Sequence, residues 1–380
     1  MSRAGVLAAL FAARKERLLA DLEALVIRES PSDEPARVSQ LALWVAERLA
    51  RAGLAAACVP CEGRGDAVRV RFGEETGGTL LLGHLDTVWP ADTLADIPFS
   101  AEGGVARGPG VFDMKAGIAV ALAVLEAVAK GDVTPAGGVS LVLTPDEEVG
   151  SGASSGLLVE EALRRDRVLV LEPSGDGGAA KVARKGTGLV KVRFKGIASH
   201  AGLEPEKGAS ALLEMARFAL YADALADKPA GTSVVPTVAG SGKVTNVVPE
   251  RAELTVDFRV WTRPEADRLM AGLRAYRPAD PRVTVEIDGG SNRPPMESTE
   301  ASLDLYRRAA SLAHALGFEL PAARVGGGSD GNLTAAAGVP TLDGLGPSGG
   351  GAHARTEHVL VDDLPHRAAL VAGLLEGVAS

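Results

Sequence analysis

The chain has 380 residues, with 40 Lys and Arg against 49 Asp and Glu, a net charge of −9, and 46% hydrophobic and 23% charged residues. That composition is globular, and the length suits two domains or one with a large insertion. The acidic balance excludes the basic footprint of a nucleic-acid binder, and no apolar run reaches the ~18–20 residues of a membrane span. The apolar stretch 5–13 runs straight into Arg14-Lys15-Glu16-Arg17. It reads as the start of an amphipathic helix rather than a cleaved signal, so the expected location is the cytoplasm.

Leu7, Leu10, Phe11, Leu18, Leu22 and Leu25 recur at helical spacing, and a second helix is predicted over about 36–51. Cys58-Val59-Pro60-Cys61 reads as a short strand leaving that helix. With no helix to open and no second pair, these cysteines are incidental and the fold needs no disulfide. Strands are predicted at 67–72 and 80–85, a helix at about 114–129, and a strand at 139–144. A helix near 155–165 and a strand at 168–171 follow. Short apolar runs separated by helices imply a mostly parallel sheet covered on both faces.

The texture changes after about residue 185. Val190, Val192 and Phe194 alternate with Lys191, Arg193 and Lys195, the mark of a half-exposed antiparallel strand. A helix at 209–225, strands near 232–239, 243–247 and 252–261, a helix at 265–276 and a strand at 282–287 complete a split β-α-β order. Gly289-Gly290-Ser291-Asn292-Arg293-Pro294-Pro295 reads as a hinge. Helices at 301–316 and from about Asp362 close the chain. The predicted architecture is an α/β domain, 1–184 and 297–380, interrupted by a ferredoxin-like α+β domain, 185–296.

Chemistry-bearing residues fall at the predicted strand ends, where open α/β sheets gather ligands. His84 and Asp86 follow strand 80–85, two apart on extended chain and so pointing the same way. They suit an imidazole ligand with its carboxylate partner, although Asp86 alone would also cap a turn. Asp113, in Gly110-Val111-Phe112-Asp113-Met114-Lys115, stands where a helix N-cap would. Asp146-Glu147-Glu148 closes the next strand, and such an acidic run fits either a solvated loop or a cation. Glu172 ends an apolar strand, which is unusual for an unpaired carboxylate. His353 follows Gly349-Gly350-Gly351. Together, two imidazoles and three carboxylates make the mixed N/O set that suits zinc or a similar divalent ion. Two such ions about 3.5–4 Å apart would lower the pKa of a shared water toward about 7.

The stretches Gly83-His84-Leu85-Asp86-Thr87-Val88, Gly110–Lys115, Asp146–Ser151, Leu171-Glu172-Pro173, Ala198-Ser199-His200-Ala201-Gly202, Asn246-Val247-Val248-Pro249, Gly326–Asn332 and Leu342 through His353 and Glu357 run in one order along the chain. This set resembles the M20 metallopeptidase family, most closely its glutamate carboxypeptidase branch. The resemblance implies two zinc ions, with cobalt or manganese as alternatives. Asp113 would bridge them, His84 and Glu172 completing one site and Glu148 and His353 the other. It further implies Asp86 as the partner of His84, Glu147 as general base, and a cis bond between Asp113 and Met114. His200 would act on the oxyanion in a partner subunit, with Asn246 beside it, in a homodimer formed through the inserted lid. Arg293 would clamp the substrate α-carboxylate, with Arg259 and Ser329 as further pocket residues. Lys181 and Lys185 compete for the role of a side-chain carboxylate contact.

The expected activity is hydrolysis of the amide bond to a C-terminal amino acid, in a small peptide, with glutamyl substrates among the candidates, or in an N-acyl amino acid. The alternatives are a related aminopeptidase or dipeptidase, and an inactive binding protein of the same fold. His314, His358 and His366 show no partnered pattern, and Trp89 fits packing as well as a substrate pocket.

Overall fold

The computed structural model describes residues 2–378. The chain forms two compact units. One contains the residues up to Ala183 and those from Ser298 onward except Gly326–Gly328; the other is Arg184–Glu297 together with Gly326–Gly328.

The first unit is built on a six-stranded sheet. Its order is Ala56–Cys61, Gly65–Phe72, Val139–Thr144, Thr79–His84, Arg167–Val170 and Thr341–Leu342. Thr79–His84 pairs in parallel with both Val139–Thr144 and Arg167–Val170, and the last pairing is also parallel. The hairpin of the first two strands joins antiparallel. Cys58 and Cys61 lie on its first strand as free thiols.

Period-two alternation divides the sheet between two cores. Leu81, Leu141, Leu143 and Leu169 pack with helices Ala116–Ala129 and Asp363–Glu376, while Leu80, Leu82, Val142, Val168 and Val170 meet Leu158 and Ala162 of the opposite layer. Ala116–Ala129 is apolar nearly all round, and almost every residue of it is buried, as such a helix requires. At its first turn, a Cβ on Gly117 would stand 2.0 Å from the Leu171 carbonyl oxygen. Glycine is what allows this helix to touch the strand end that carries Glu172.

Some boundaries differ from expectation. The amphipathic pattern over residues 7–25 is two helices, Arg3–Ala12 and Lys15–Val26, broken at Ala13-Arg14. The helix expected from Met114 begins at Ala116, because Asp113 (φ −112°, ψ 94°) and Met114 (φ −131°, ψ 35°) are not helical. The Asp113–Met114 bond is cis.

The second unit follows a β-α-β-β-α-β order. Its antiparallel sheet runs Ser233–Ser241, Arg251–Val260, Gly186–Lys195, Thr284–Arg293, with helices Ala211–Asp223 and Arg263–Arg274. Val190, Val192 and Phe194 are buried and Lys191, Arg193 and Lys195 exposed. Phe194 and Phe218 meet edge to face at 5.7 Å, and Phe218 and Tyr276 at 4.9 Å.

Two segments of this unit differ from the expectation. The strand expected at 243–247 is a loop, because the preceding ladder ends at Ser241↔Ala252 and only Val247–Val248 finds a partner, in Ser199–His200. The expected hinge at 289–295 is strand as far as Arg293. At Gly289, φ is +98° and a Cβ would lie 2.3 Å from the Leu189 carbonyl, so the glycine passes a tight spot within the ladder. Among the described residues, no helix is long and apolar enough to cross a membrane.

Candidate active site

Three parallel strands end on one side of the first unit's sheet, and each delivers an acid or an imidazole. His84 is the last residue of Thr79–His84, Glu147 and Glu148 follow Val139–Thr144, and Glu172 follows Arg167–Val170. Asp113 enters from the loop before the buried helix, and His353 from a turn near the chain's end. The His353 backbone is left-handed (φ +63°), a conformation uncommon for a side-chain-bearing residue and concentrated at functional sites.

Asp113 stands between the two imidazoles. Its Oδ1 is 3.3 Å from His84 Nε2, and its Oδ2 is 3.3 Å from His353 Nε2. Glu172 Oε1 lies 3.2 Å from His84 Nε2, and Glu148 Oε2 lies 3.3 Å from His353 Nε2. The ligand atoms of His84, Asp113 and Glu172 are all within 4.8 Å of one another, as are those of Asp113, Glu148 and His353. The structure thus brings together all five expected donors as two triads sharing Asp113.

The site's electrostatics call for positive charge. Burial pushes the Asp113 carboxyl up, but hydrogen bonds to His353 and His84 hold it well below the usual carboxylate range. Asp113 and Glu148 raise the His353 imidazole to about 10. Burial pushes Glu148 up, and its Oε1 is a buried oxygen with no hydrogen-bond partner. A buried carboxylate with one orphaned oxygen, its other oxygen beside His353, fits a cation as its missing partner.

His84 is poised as a ligand. Its Nδ1 is 2.9 Å from the Asp86 backbone oxygen, an acceptor, so the ring proton belongs on Nδ1 and Nε2 is left to face the carboxylates. The expected role of Asp86 is therefore refined. Its carboxylate is 3.5 Å from Nδ1, while it accepts the Glu147 N–H at 3.0 Å, the Glu148 N–H at 3.2 Å and the Ser32 hydroxyl at 2.7 Å. A second buried acid, Asp330, braces the same loop by accepting from Thr144 at 2.7 Å and from Ser151. Lys115, two residues past Asp113, donates to the Arg28 carbonyl at 2.9 Å, and burial pushes its ammonium down to about 7.

The remaining expected residues are distributed otherwise. His200 and Asn246 lie side by side in the second unit, where the Ala201 N–H donates to the Asn246 carbonyl at 2.9 Å. Both are exposed. His200 Nδ1 accepts the Gly202 and Leu203 N–H groups at 3.1 Å each, which puts the ring proton on Nε2. Arg259 and Arg293 flank Thr187 on neighbouring strands of that unit's sheet; Arg293 is buried, and Arg259 pairs with Asp257 at 3.0 Å. Ser329, in the first unit, is fully buried and donates to Asp343 at 2.6 Å, so its hydroxyl is committed to a turn in the protein's interior. Lys185 donates to the Gly231 carbonyl and lies over the Trp261 ring, whereas Lys181 is buried in the first unit.

Ser32 is a neighbour of the site that sequence reasoning missed, and Glu357, named there only within a matching stretch, has no role assigned to it from sequence. Neither carries a local signal, since their partners lie far away along the chain.

Paired carboxylate and imidazole donors at the carboxyl ends of parallel strands define a metal-dependent hydrolase of the α/β type. Residues 80–377 match the Peptidase family M20/M25/M40, and the chain belongs to that family. It is 34% identical over 301 residues to carboxypeptidase G2 of Pseudomonas sp. (strain RS-16), covering 78% of this chain and 72% of that protein. This relative supports the glutamate carboxypeptidase branch. A succinyl-diaminopimelate desuccinylase of Alkalilimnicola ehrlichii is 28% identical over 375 residues, 93% of this chain and 96% of that protein. Among solved structures, aminopeptidase PepT of Bacillus cereus aligns with a TM-score of 0.82 at 22% identity, covering 96% of this chain and 99% of that one. The M20 metallo-carboxypeptidase Sso-CP2 of Sulfolobus solfataricus aligns at 0.73 and 16%, covering 94% and 98%. At those identities the likeness is one of fold.

Proposed function

We propose that the protein is a two-metal amidohydrolase that releases a C-terminal amino acid from a small peptide or an N-acyl amino acid. The observation that carries this reading is Asp113 with one oxygen toward each imidazole, beside a Glu148 carboxylate that has one oxygen unpartnered. His84, Asp113 and Glu172 would hold one ion, and Asp113, Glu148 and His353 the other, with zinc the best match to the donor set and cobalt or manganese as substitutes. When bound, such a pair supplies Lewis acidity and a reactive water near neutral pH.

The chain's own residues would do the rest. Glu147 takes the proton of the attacking water and returns it to the leaving amine, with Asp86 fixing the amide of Glu147. His200 serves as the oxyanion donor in a second copy's site. Its protonated Nε2 supports that role, and Asn246 is its neighbour. Arg293 takes the substrate α-carboxylate through its guanidinium fork, with Arg259 as a second cation.

A homodimer through the second unit is part of this reading. Leu213 (57% exposed) and Leu220 (75%) on helix Ala211–Asp223 are apolar and uncovered, as is Val238 (65%) on the edge strand Ser233–Ser241. An uncovered edge strand of that kind invites pairing with its own copy.

The deciding experiment is a screen of N-acyl amino acids and of N-blocked and C-blocked dipeptides with zinc-reconstituted protein, alongside light scattering for the dimer. Cleavage of N-blocked substrates bearing a free α-carboxylate is expected, with a glutamyl terminus as one arm. Hydrolysis confined to substrates with a free N-terminus would replace this reading with an aminopeptidase.

A further inference from the structure

Glu357 is buried, with 3% of its surface exposed, yet it belongs to neither ligand triad. Its carboxylate accepts four hydrogen bonds. Oε1 takes the backbone N–H of Phe112 at 2.9 Å and of Asp113 at 3.0 Å, and Oε2 takes the N–H of Gly110 at 2.9 Å and the Trp89 indole N–H at 2.7 Å. Three of these donors, at 110, 112 and 113, belong to one loop, so the carboxylate sits in a backbone concavity of the kind that binds anions.

The three segments joined at this point all carry candidate ligands. Trp89 lies five residues beyond His84 on the chain leaving strand Thr79–His84. Gly110, Phe112 and Asp113 form the loop that presents the shared carboxylate. Glu357 itself closes the turn that carries His353, its N–H donating to the Ala354 carbonyl at 2.9 Å while the Ala354 N–H donates to Gly351 at 2.9 Å. The loop around Asp113 has no regular helix or strand to hold it, and its backbone angles are irregular. Three of its amide groups are satisfied by a side chain 244–247 residues away.

The geometry points to Glu357 as a positioning residue that clamps the Asp113 loop, the His353 turn and the chain after His84 into one register, so that Asp113 can serve both triads at once. This inference rests on the two-metal reading and adds the element that preorganises it. The charge matters as well as the shape. In a Glu357→Gln variant one oxygen becomes an NH2 group, which would confront two of the four N–H donors with another donor.

The test is titration of metal-free protein with zinc alone, in competition with a chelator of known affinity, for the parent, Glu357→Gln and Trp89→Phe. Circular dichroism of the metal-free forms reports folding. Glu357→Gln is expected to bind zinc about 10–100-fold more weakly than the parent, with kcat reduced and KM changed by less than about threefold. Trp89→Phe removes one donor of four and is expected to shift zinc affinity in the same direction by a smaller factor. A role confined to fold stability would lower the melting temperature of the metal-free protein and leave zinc affinity unmoved. Zinc affinity of Glu357→Gln within twofold of the parent overturns the inference. Should that variant not fold, unchanged affinity in Trp89→Phe overturns it instead. A parent that binds no zinc overturns the two-metal reading itself, a result distinct from either.

Discussion

Asp86 Oδ1 accepts the backbone N–H of Glu147 at 3.0 Å, so the acid that follows one strand fixes the amide of the acid that follows its neighbour. Oδ2 accepts the Glu148 N–H at 3.2 Å, and the imidazole of His84 is held more closely by the Asp86 carbonyl, at 2.9 Å, than by its carboxylate. Asp86 is thus a joint between a candidate ligand, a candidate base and a second candidate ligand. An Asp86→Asn change places an NH2 group opposite one of these N–H donors. The expected result is a fall in kcat of about 10–100-fold with the zinc content retained, measured by steady-state kinetics and metal analysis. A change confined to KM would contradict the joint.

Of the two acids in the run 146–148 that belong to neither triad, Asp146 is buried and accepts from the Ala153 N–H and the Ser154 hydroxyl, which leaves Glu147 for the base. Glu147→Gln is expected to keep two metal ions per chain and to lose about 10²–10⁴-fold in kcat. Loss of both ions in this variant would show that Glu147 is a ligand.

Removing metal leaves Asp113, Glu148 and Glu172 gathered around two imidazoles with the linkage energy of two bound ions forfeited. A chelator is expected to lower the melting temperature by about 3 °C or more, recovered on adding zinc. Superimposable melting curves with and without chelator would argue against bound metal.

Gly117 permits the contact between the buried helix and the Leu171 carbonyl, one residue before Glu172. Gly117→Ala must move backbone against backbone and is expected to cost about 1–3 kcal/mol in urea unfolding. Zinc affinity should fall with it, because the same contact sets the spacing of Asp113 and Glu172.

Glu126 lies far along the same helix and receives hydrogen bonds from Lys130 and Arg48. Burial pushes its carboxyl up, but those hydrogen bonds outweigh burial and hold it at about 2. Its folded value lies below the unfolded one, near 4.5, so its stabilisation is complete above that pH and drains away as pH falls toward 2. Glu126→Gln is expected to be about 1–2 kcal/mol less stable than the parent at neutral pH. That gap should narrow from about pH 4.5 downward, as read by urea unfolding across a pH series. A gap of constant size would show that the carboxylate's charge is not what stabilises.

The sequence by itself determined most of the elements, though not all their ends: the break at Ala13-Arg14 and the start of the buried helix at Ala116 came from the structure. Leu80-Leu81-Leu82 and Val139–Thr144 read as buried strands because both their faces are apolar. His84, Glu148 and Glu172 read as candidate ligands because polar groups at the ends of such strands need a partner there. The alternation of Val190, Val192 and Phe194 likewise marked the change to a half-exposed sheet. Only the tertiary structure decided which oxygen of Asp113 faces which imidazole, that Asp86 reaches the Glu147 amide, that Ser329 is spent on Asp343, and that Glu357 closes the loop around Asp113. The continuation of the strand from 288 to 293 belongs with these, since its glycines look like a hinge until the neighbouring strand supplies a ladder. The reason is physical: periodicity and burial preference are local and repeat along the chain, whereas hydrogen bonds between segments hundreds of residues apart leave no period to read. They are set by where the packed sheet happens to bring each loop.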